Sequence, residues 1–348
     1  MRFERRERVP VVLALAAPLA AVLAALAICS VLVAAAHAPV MMAYAELVAG
    51  AFGSRLAITE TLTRATPIIL TGLAAAVAFR ARFWNIGAEG QFYAAAIAVA
   101  AVGSHELSVP PMVLIPLLLA VGALAGATLL AGPAVLKVRF GVDEVVTTLL
   151  LNFIVLLAVS MMIEGPMKDP LAFGWPQSVP LVDDALLPKV VPRSRLHLGF
   201  LVALVAAGAV ALVNARSVFG FESRAVGLNA EAARFAGIPV GGVLVRVGLL
   251  SGGLAGLAGA LEVTGLKGYV TLDLSPGFGM TGVIVAMLAG LRPIAVIATA
   301  IFVAGIFVGA DAMGRAYGIP GFIADVILAV SLLAMLVALL FTSYRIRR

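Results

Sequence analysis

The sequence predicts an all-α, polytopic membrane protein of about ten transmembrane helices, one of them short or re-entrant. Three observations support that prediction. Of 348 residues, 63% are hydrophobic and only 12% charged, with a mean hydropathy of +1.13; soluble domains carry about 25% charged residues. The apolar residues fall in runs long enough for a helix, rising about 1.5 Å per residue, to cross a hydrocarbon core roughly 30 Å thick. The alternating segments of about ten residues that mark a membrane β-barrel do not occur. A water-soluble enzyme, a disordered chain and a nucleic-acid binder are excluded, despite a net charge of +6. Cys29 is the one cysteine, and His37, His105 and His197 stand far apart, so neither a disulfide framework nor a Cys/His metal site is expected.

In order, spans are read at 11–36, 62–79, 86–103, 111–135, 145–163, 198–214, 241–264, 294–310 and 321–341. A shorter stretch at 279–291, Gly-rich at its start and stopped by Arg292-Pro293, makes the tenth. The first apolar run covers about 26 residues, beyond the roughly 7–15 of a signal-peptide core, and is read as a retained span. With ten crossings and both ends cytoplasmic, fifteen lysines and arginines fall in inside segments and eight in outside ones. That is the bias cytoplasmic loops show. Residues 1–10 and 342–348 are then cytoplasmic tails, and 11–341 form one transmembrane domain with a cytoplasmic loop at 215–239. Spans 2–5 and 7–10 enter from opposite sides, the arrangement of an inverted repeat. The proline-rich outer segment 164–196, with Trp175 and Asp183-Asp184, holds at most a short lateral helix.

Within the inner loop, Asn229 is a good N-cap, 230–236 are helix formers, and Gly237 with Pro239 supplies a stop. A two-turn helix results, small at Ala232, Ala233 and Ala236. It is either a face that another protein can approach closely or an ordinary interfacial helix.

Asn85, at the inner start of the third span, is placed to cap it. Glu89 lies near the positive end of that helix and costs about 2.5–3.5 kcal/mol inside a membrane unless paired or wetted. It reads equally as a gate and as the partner of Arg82 or another loop arginine. Glu262, near the outer end of the seventh span, faces a vestibule or snorkels to water. Asn152, with Thr147 and Thr148 about a turn away, glues helices or touches a polar substrate. Gln91 and Asn152 each offer donors and acceptors. Gly252, Gly253, Gly256 and Gly259 form a close-packing surface, and Gly277, Gly279 and Gly282 open the short segment as in a broken helix.

Several of these stretches resemble a family. Arg224-Ala-Val-Gly-Leu-Asn-Ala-Glu-Ala-Ala-Arg-Phe-Ala-Gly-Ile238 is similar to the coupling-helix segment of ABC importer permeases of the sugar, nucleoside and branched-chain amino-acid group. Asn85-Ile-Gly-Ala-Glu-Gly-Gln91 resembles a segment typical of the nucleoside and simple-sugar permeases. Asp143–Asn152, Ser251–Ala260 and Gly277–Gly282 are similar in the same order, apart from Asp143, where the family more often has Asn. The resemblance implies a permease subunit in the inner (plasma) membrane, moving nucleosides or related purine and sugar compounds; a simple-sugar permease is the alternative. It implies that Arg224, Gly227, Asn229, Glu231, Ala232, Ala233 and Gly237 meet a separate cytoplasmic ABC ATPase. Asn85, Glu89, Gln91, Asn152 and Glu262 would line or gate the pathway. No Gly-x-x-x-x-Gly-Lys-Ser/Thr occurs, so ATP and Mg would be bound by that ATPase, not by this chain. An extracytoplasmic solute-binding protein and a paralogous second permease, forming a heterodimer, complete the expected partners. An ion-coupled secondary transporter would instead want paired midplane carboxylates, and neither Glu89 nor Glu262 is central.

Overall fold

The computed structural model describes residues 2–5, 11–106, 108–319, 344–347 and most of 326–338, with side chains between residues 20 and 338, Val22 apart. The span read at 321–341 and the tails at 1–10 and 342–348 lie partly outside the described residues.

The described chain is helical: α1 (Val11–Ala35), α2 (Val40–Phe52), α3 (Arg55–Arg80), α4 (Ala88–Gly103), α5 (Pro111–Phe140), α6 (Glu144–Glu164), α7 (Gly199–Arg216), α8 (Val218–Leu228), α9 (Ala230–Phe235), α10 (Val240–Glu262), α11 (Phe278–Leu288) and α12 (Pro293–Tyr317). The exception is a ribbon at the chain ends, where Arg2–Arg5 pairs antiparallel with Tyr344–Arg347. Among the described residues six helices are long and apolar enough to cross a membrane; α1 and α2 make a seventh if taken as one broken span. The helices α4, α11 and Ala329–Ala338 are shorter and apolar.

The chain divides into two compact units, 1–62 with 301–348, and 63–300. In the first, α1 and α2 meet at a 116° bend. Cys29 and Val33 of α1, Ala43 and Leu47 of α2, and Met313 share its core. The Tyr44 hydroxyl donates to Leu26 O across the bend, at 2.6 Å. The stretch 37–61, expected as an outer loop, therefore holds a helix. Thirteen residues are too few to span, and only Ala43, Leu47 and Ala51, four apart, are buried, a pattern hidden in a uniformly apolar sequence.

In the second unit, α10 packs on α5 and α4 at nearly backbone contact. A Cβ at Gly252 or Gly256 would collide with the carbonyl oxygens of Gly126 and Gly122, and one at Gly259 with that of Phe92. Both helices thus carry a small-x-x-x-small pair, the membrane solution for close approach. Residues 65–79 of α3 are buried on every side, as an all-round apolar helix requires. After Glu262 the chain makes a π turn, Val263–Lys267, then runs without helix to α11.

The segment 164–196 holds only a three-residue 3-10 turn, Asp183–Ala185, in place of a lateral helix. Its order comes instead from backbone bonds to other elements. Ser178 N donates to Val270 O (2.9 Å), Leu181 N to Gly268 O (2.7 Å) and Leu187 N to Thr264 O (2.8 Å).

Candidate functional site: a broken-helix junction above the inner loop

Between α3 and α4, residues 81–87 run without helix, with Phe83, Asn85 and Gly87 buried and Arg82 and Trp84 exposed, and the buried backbone must find partners locally. Asn85, fully buried, supplies the centre. Its Nδ2 donates to Gln91 Oε1 and to Ser251 Oγ, both at 2.9 Å. Its Oδ1 accepts from Gln91 Nε2 (2.8 Å) and Gly87 N (3.0 Å). Ser251 passes its own proton to Ala74 O at 2.7 Å. Both N–H groups and both lone pairs of the Asn85 amide are used. The knot ties α3, α4 and α10 together, and Gln91 (2% exposed) spends its amide there too.

One face of α6 completes the loop's hydrogen bonds. Asp143 caps α6, its Oδ1 accepting from Val145 N at 2.7 Å. Glu144, Thr148 and Asn152 then follow at four-residue spacing, so they share a face. Glu144 Oε1 accepts from Trp84 N (3.0 Å) and Thr148 Oγ1 from Ile86 N (3.3 Å). Asn152 donates to Ile86 O (3.1 Å) and accepts from Gly90 N (2.8 Å). The cap of α4 thus comes from Asn152 on another helix, not from Asn85. Glu144 also ion-pairs with Lys137 at the end of α5.

Glu89, in the first turn of α4, is only partly buried. Its Oε2 accepts from Gly279 N, in the first turn of α11, at 2.7 Å. Ser275 also hydrogen-bonds this carboxylate, while its Oγ accepts from Gly277 N (3.2 Å) and Phe278 N (2.9 Å). The Tyr93 hydroxyl accepts from Ser275 N at 3.1 Å and donates to Leu272 O at 2.5 Å. Thr71 of α3 donates to Phe278 O at 2.9 Å. Two helix N-termini, each with partial positive charge, therefore converge on one carboxylate. Its partner is the broken helix rather than Arg82. A side chain at Gly279 would collide with Glu89 itself.

The loop 215–239 meets the end of α3 at Arg80. Ser217 caps α8, accepting from Gly220 N at 3.0 Å. Asn229 caps α9 as expected, its Oδ1 accepting from Glu231 N and Ala232 N, both at 3.0 Å. Gly237, at φ 82°, ends α9; Ile238 N donates to Ala233 O and Gly237 N to Arg234 O, a Schellman stop. Gly227 sits so close to the end of α3 that a Cβ there would collide with Arg80 O. Arg246 of α10 pairs with Glu222 of α8 at 2.9 Å.

The family described as branched-chain amino acid transport system, permease component, matches residues 57–341. The chain belongs to this permease family. Three relatives agree in class. The glucose ABC transporter permease protein TsgB13 of Haloferax volcanii is 34% identical over 99% of this chain and 93% of its own length. The guanosine ABC transporter permease protein NupP of Bacillus subtilis is 35% identical, covering 91% of each. The nucleoside ABC transporter permease protein NupB of Lactococcus lactis is 32% identical over 82% of this chain and 80% of its own. This permease is thus the multi-pass membrane subunit of an ABC transporter, a class that works with an ATPase and a solute-binding protein.

The structure gathers Asn85, Gln91, Glu89 and Asn152 around one short stretch of the permease, and sets Glu262 apart. Glu262 is 4% exposed, in the field of Arg64 and Lys267, so it neither opens to a vestibule nor snorkels. The small face of α9 is also corrected. Ala233 is buried (5% exposed), while Phe235 (97%) and Leu228 (70%) stand out with Ala232 and Ala236. Six residues present only one inward position, and Ala233, whose carbonyl takes the Schellman bond, holds it. Arg224, Glu231 and Gly237 are exposed, whereas Gly227 packs inward on Arg80. The reading from sequence missed α8 as a separate helix, Ser275, the hydrogen-bonding role of Tyr93 and the place of Glu144 on the face of Thr148 and Asn152. The four-residue spacing of Glu144, Thr148 and Asn152 was the available signal.

Proposed function

We propose that this permease imports nucleosides or closely related purine and sugar compounds, with the Glu89–Ser275–Gly279 junction as its gate and the exposed face of α8 and α9 as the seat of the ATPase. The observation that carries the gate is a partly accessible carboxylate holding the start of a broken helix. A ligand or a movement that competes for those N–H groups frees α11. The contact of Gly227 with Arg80 O supports a route by which the inner loop pushes the end of α3 and the 81–87 loop.

ATP and Mg are bound by the separate ATPase. The tails and the 215–239 loop lie in the cytoplasm of an inner-membrane protein; the pairing of the chain ends supports an even number of crossings. The second permease is a paralogue. The guanosine and nucleoside relatives support the substrate class. The glucose relative, matched over nearly the whole chain, supports a simple-sugar second reading. Uptake of radiolabelled guanosine by cells expressing the whole transporter tests this. Guanosine uptake that depends on both permeases and is poorly blocked by unlabelled ribose or glucose is expected. Equal competition by free ribose or glucose favours the sugar reading, and uptake with this permease alone removes the heterodimer.

A further inference from the structure

Where α8 meets the end of α3, two arginines come together without a counter-charge. Gly227 lies against Arg80 O, so the two helices approach almost backbone to backbone. Arg224 precedes Gly227 by three residues and so lies towards the same side of α8. Arg80 is half-buried in the last turn of α3, Arg224 is exposed, and the charge of Arg224 acts on Arg80. Among the described residues neither guanidinium has an ion pair or a hydrogen bond. The carboxylates of the surrounding elements are committed elsewhere. Glu222, also on α8, pairs with Arg246 of α10, and Glu144 of α6 is spent on Lys137 and Trp84 N. Asp143 caps α6, and Glu231 lies on α9 beyond the cap at Asn229. Arg82, exposed at φ 54°, adds a third positive charge in a backbone region that favours glycine.

Like charges held at one joint repel each other, and an anion between them turns that repulsion into attraction. Guanidinium forks match phosphate oxygens in particular, two N–H groups to two oxygens. The depth of the joint fits a phosphate at the membrane surface. Phe79, beside Arg80, packs its ring on Trp84 with centroids 4.7 Å apart, and Trp84 is 41% exposed. Tryptophans so placed at the end of a spanning helix mark the headgroup level, and basic pockets there take acidic lipid headgroups. A carboxylate of the ATPase can meet Arg224 from the water, but Arg80 belongs to a spanning helix and is half withdrawn from it.

We propose that Arg80 and Arg224 together clamp a phosphate group, that of an acidic phospholipid headgroup or inorganic phosphate from solution, and that the clamped anion braces α8 against α3. The bracing rests on the reading that loop 215–239 pushes the end of α3; the binding does not.

The complete transporter, delipidated in detergent, is titrated with phosphatidylglycerol or phosphatidylcholine and read by native mass spectrometry. Retention of phosphatidylglycerol over phosphatidylcholine is expected. Arg80→Gln and, at an exposed position that folding should tolerate, Arg224→Gln should each weaken it about fivefold. Arg139→Gln, which removes the same charge from the end of α5, should leave it unchanged. Excess inorganic phosphate separates the two sources: lipid that persists identifies the headgroup as the occupant, and lipid that is displaced identifies soluble phosphate, the clamp standing in both cases. In phosphatidylcholine proteoliposomes, added phosphatidylglycerol should raise guanosine uptake per ATP for wild type and not for Arg224→Gln; an equal rise in both would overturn the bracing. A transporter that does not move guanosine removes the nucleoside reading, and the lipid titration still decides the clamp. Equal losses in Arg224→Gln and Arg139→Gln would reduce the attraction to general surface charge and overturn the clamp. Lost co-purification with the ATPase in Arg224→Gln, with lipid retention intact, would give Arg224 to an ATPase carboxylate and overturn it as well.

Discussion

Asn85 and Glu89 lie four residues apart, yet their surroundings are opposite in kind. Asn85 is neutral, sealed and saturated: four hydrogen bonds, three helices, no access to water. Glu89 bears an ionisable carboxyl group, is partly accessible, and holds a helix start that lies 190 residues further along the chain. A saturated amide network gains nothing from moving, because any displacement orphans buried groups at about 1–3 kcal/mol each. A carboxylate at two helix N-termini can exchange one set of donors for another, including those of a substrate or water. The loop therefore has an anchor at one end and, under the proposed gate, a latch at the other.

The largest effect should come from breaking the anchor. Asn85→Ala orphans Gln91, Ser251 and Gly87 N together, and a loss of several kcal/mol, at about 1–3 per group, is expected. In detergent this should read as a fall in melting temperature and yield. Unchanged thermal stability would remove the distinction between the two residues. Next come Ala233→Arg and Ala232→Arg, one position apart on α9. The first buries a charge and should reduce folded protein. The second leaves folding intact and should abolish co-purification with the ATPase. Equal behaviour of the pair would contradict the inward setting of Ala233.

A smaller effect is expected at His197, just before α7 and remote from both ends of the loop. Its ring is 1% exposed and touches the positions where Gly199 and Gly265 would carry a Cβ; Nδ1 accepts from Gly199 N at 3.2 Å. Burial pushes its pKa from 6.5 down to about 4. Above pH 6.5 the ring is neutral folded or unfolded, and stability should not vary through it. As pH falls from 6.5 towards 4 the unfolded chain takes the proton first. Stability should then drop by up to about 1.4 kcal/mol per pH unit, and thermal melts of wild type and His197→Phe across that window measure it. The smallest change is expected from Glu222→Gln: the pair with Arg246 is half exposed on the arginine side, worth about 0–1 kcal/mol.

The anchor was more legible in the sequence than the latch. The cap at Asn229, the stop at Gly237 and the close-packing glycines of α10 obey local rules, and local rules hold in any fold. The glue at Asn152 was one of its two readings. Glu89 could be singled out as costly, but its true partners, Gly279 and Ser275, are set by tertiary approach that no spacing encodes. The direction of Ala233 escaped for a related reason: three alanines on two turns carry no polarity to orient them. The helix α2 was hidden because lipid-facing and core-facing residues are equally apolar.

Glu89→Gln, measured as guanosine uptake per ATP hydrolysed in proteoliposomes holding the complete transporter, tests the latch most directly. The amide keeps the shape and one acceptor but loses the charge that the two helix N-termini share. Charge-assisted bonds of this kind contribute about 1.5–3 kcal/mol, so uptake per ATP should fall roughly 10–100-fold while folding and ATP hydrolysis persist. Coupled uptake at the wild-type ratio would contradict the account, leaving Glu89 a structural cap and placing the gate elsewhere.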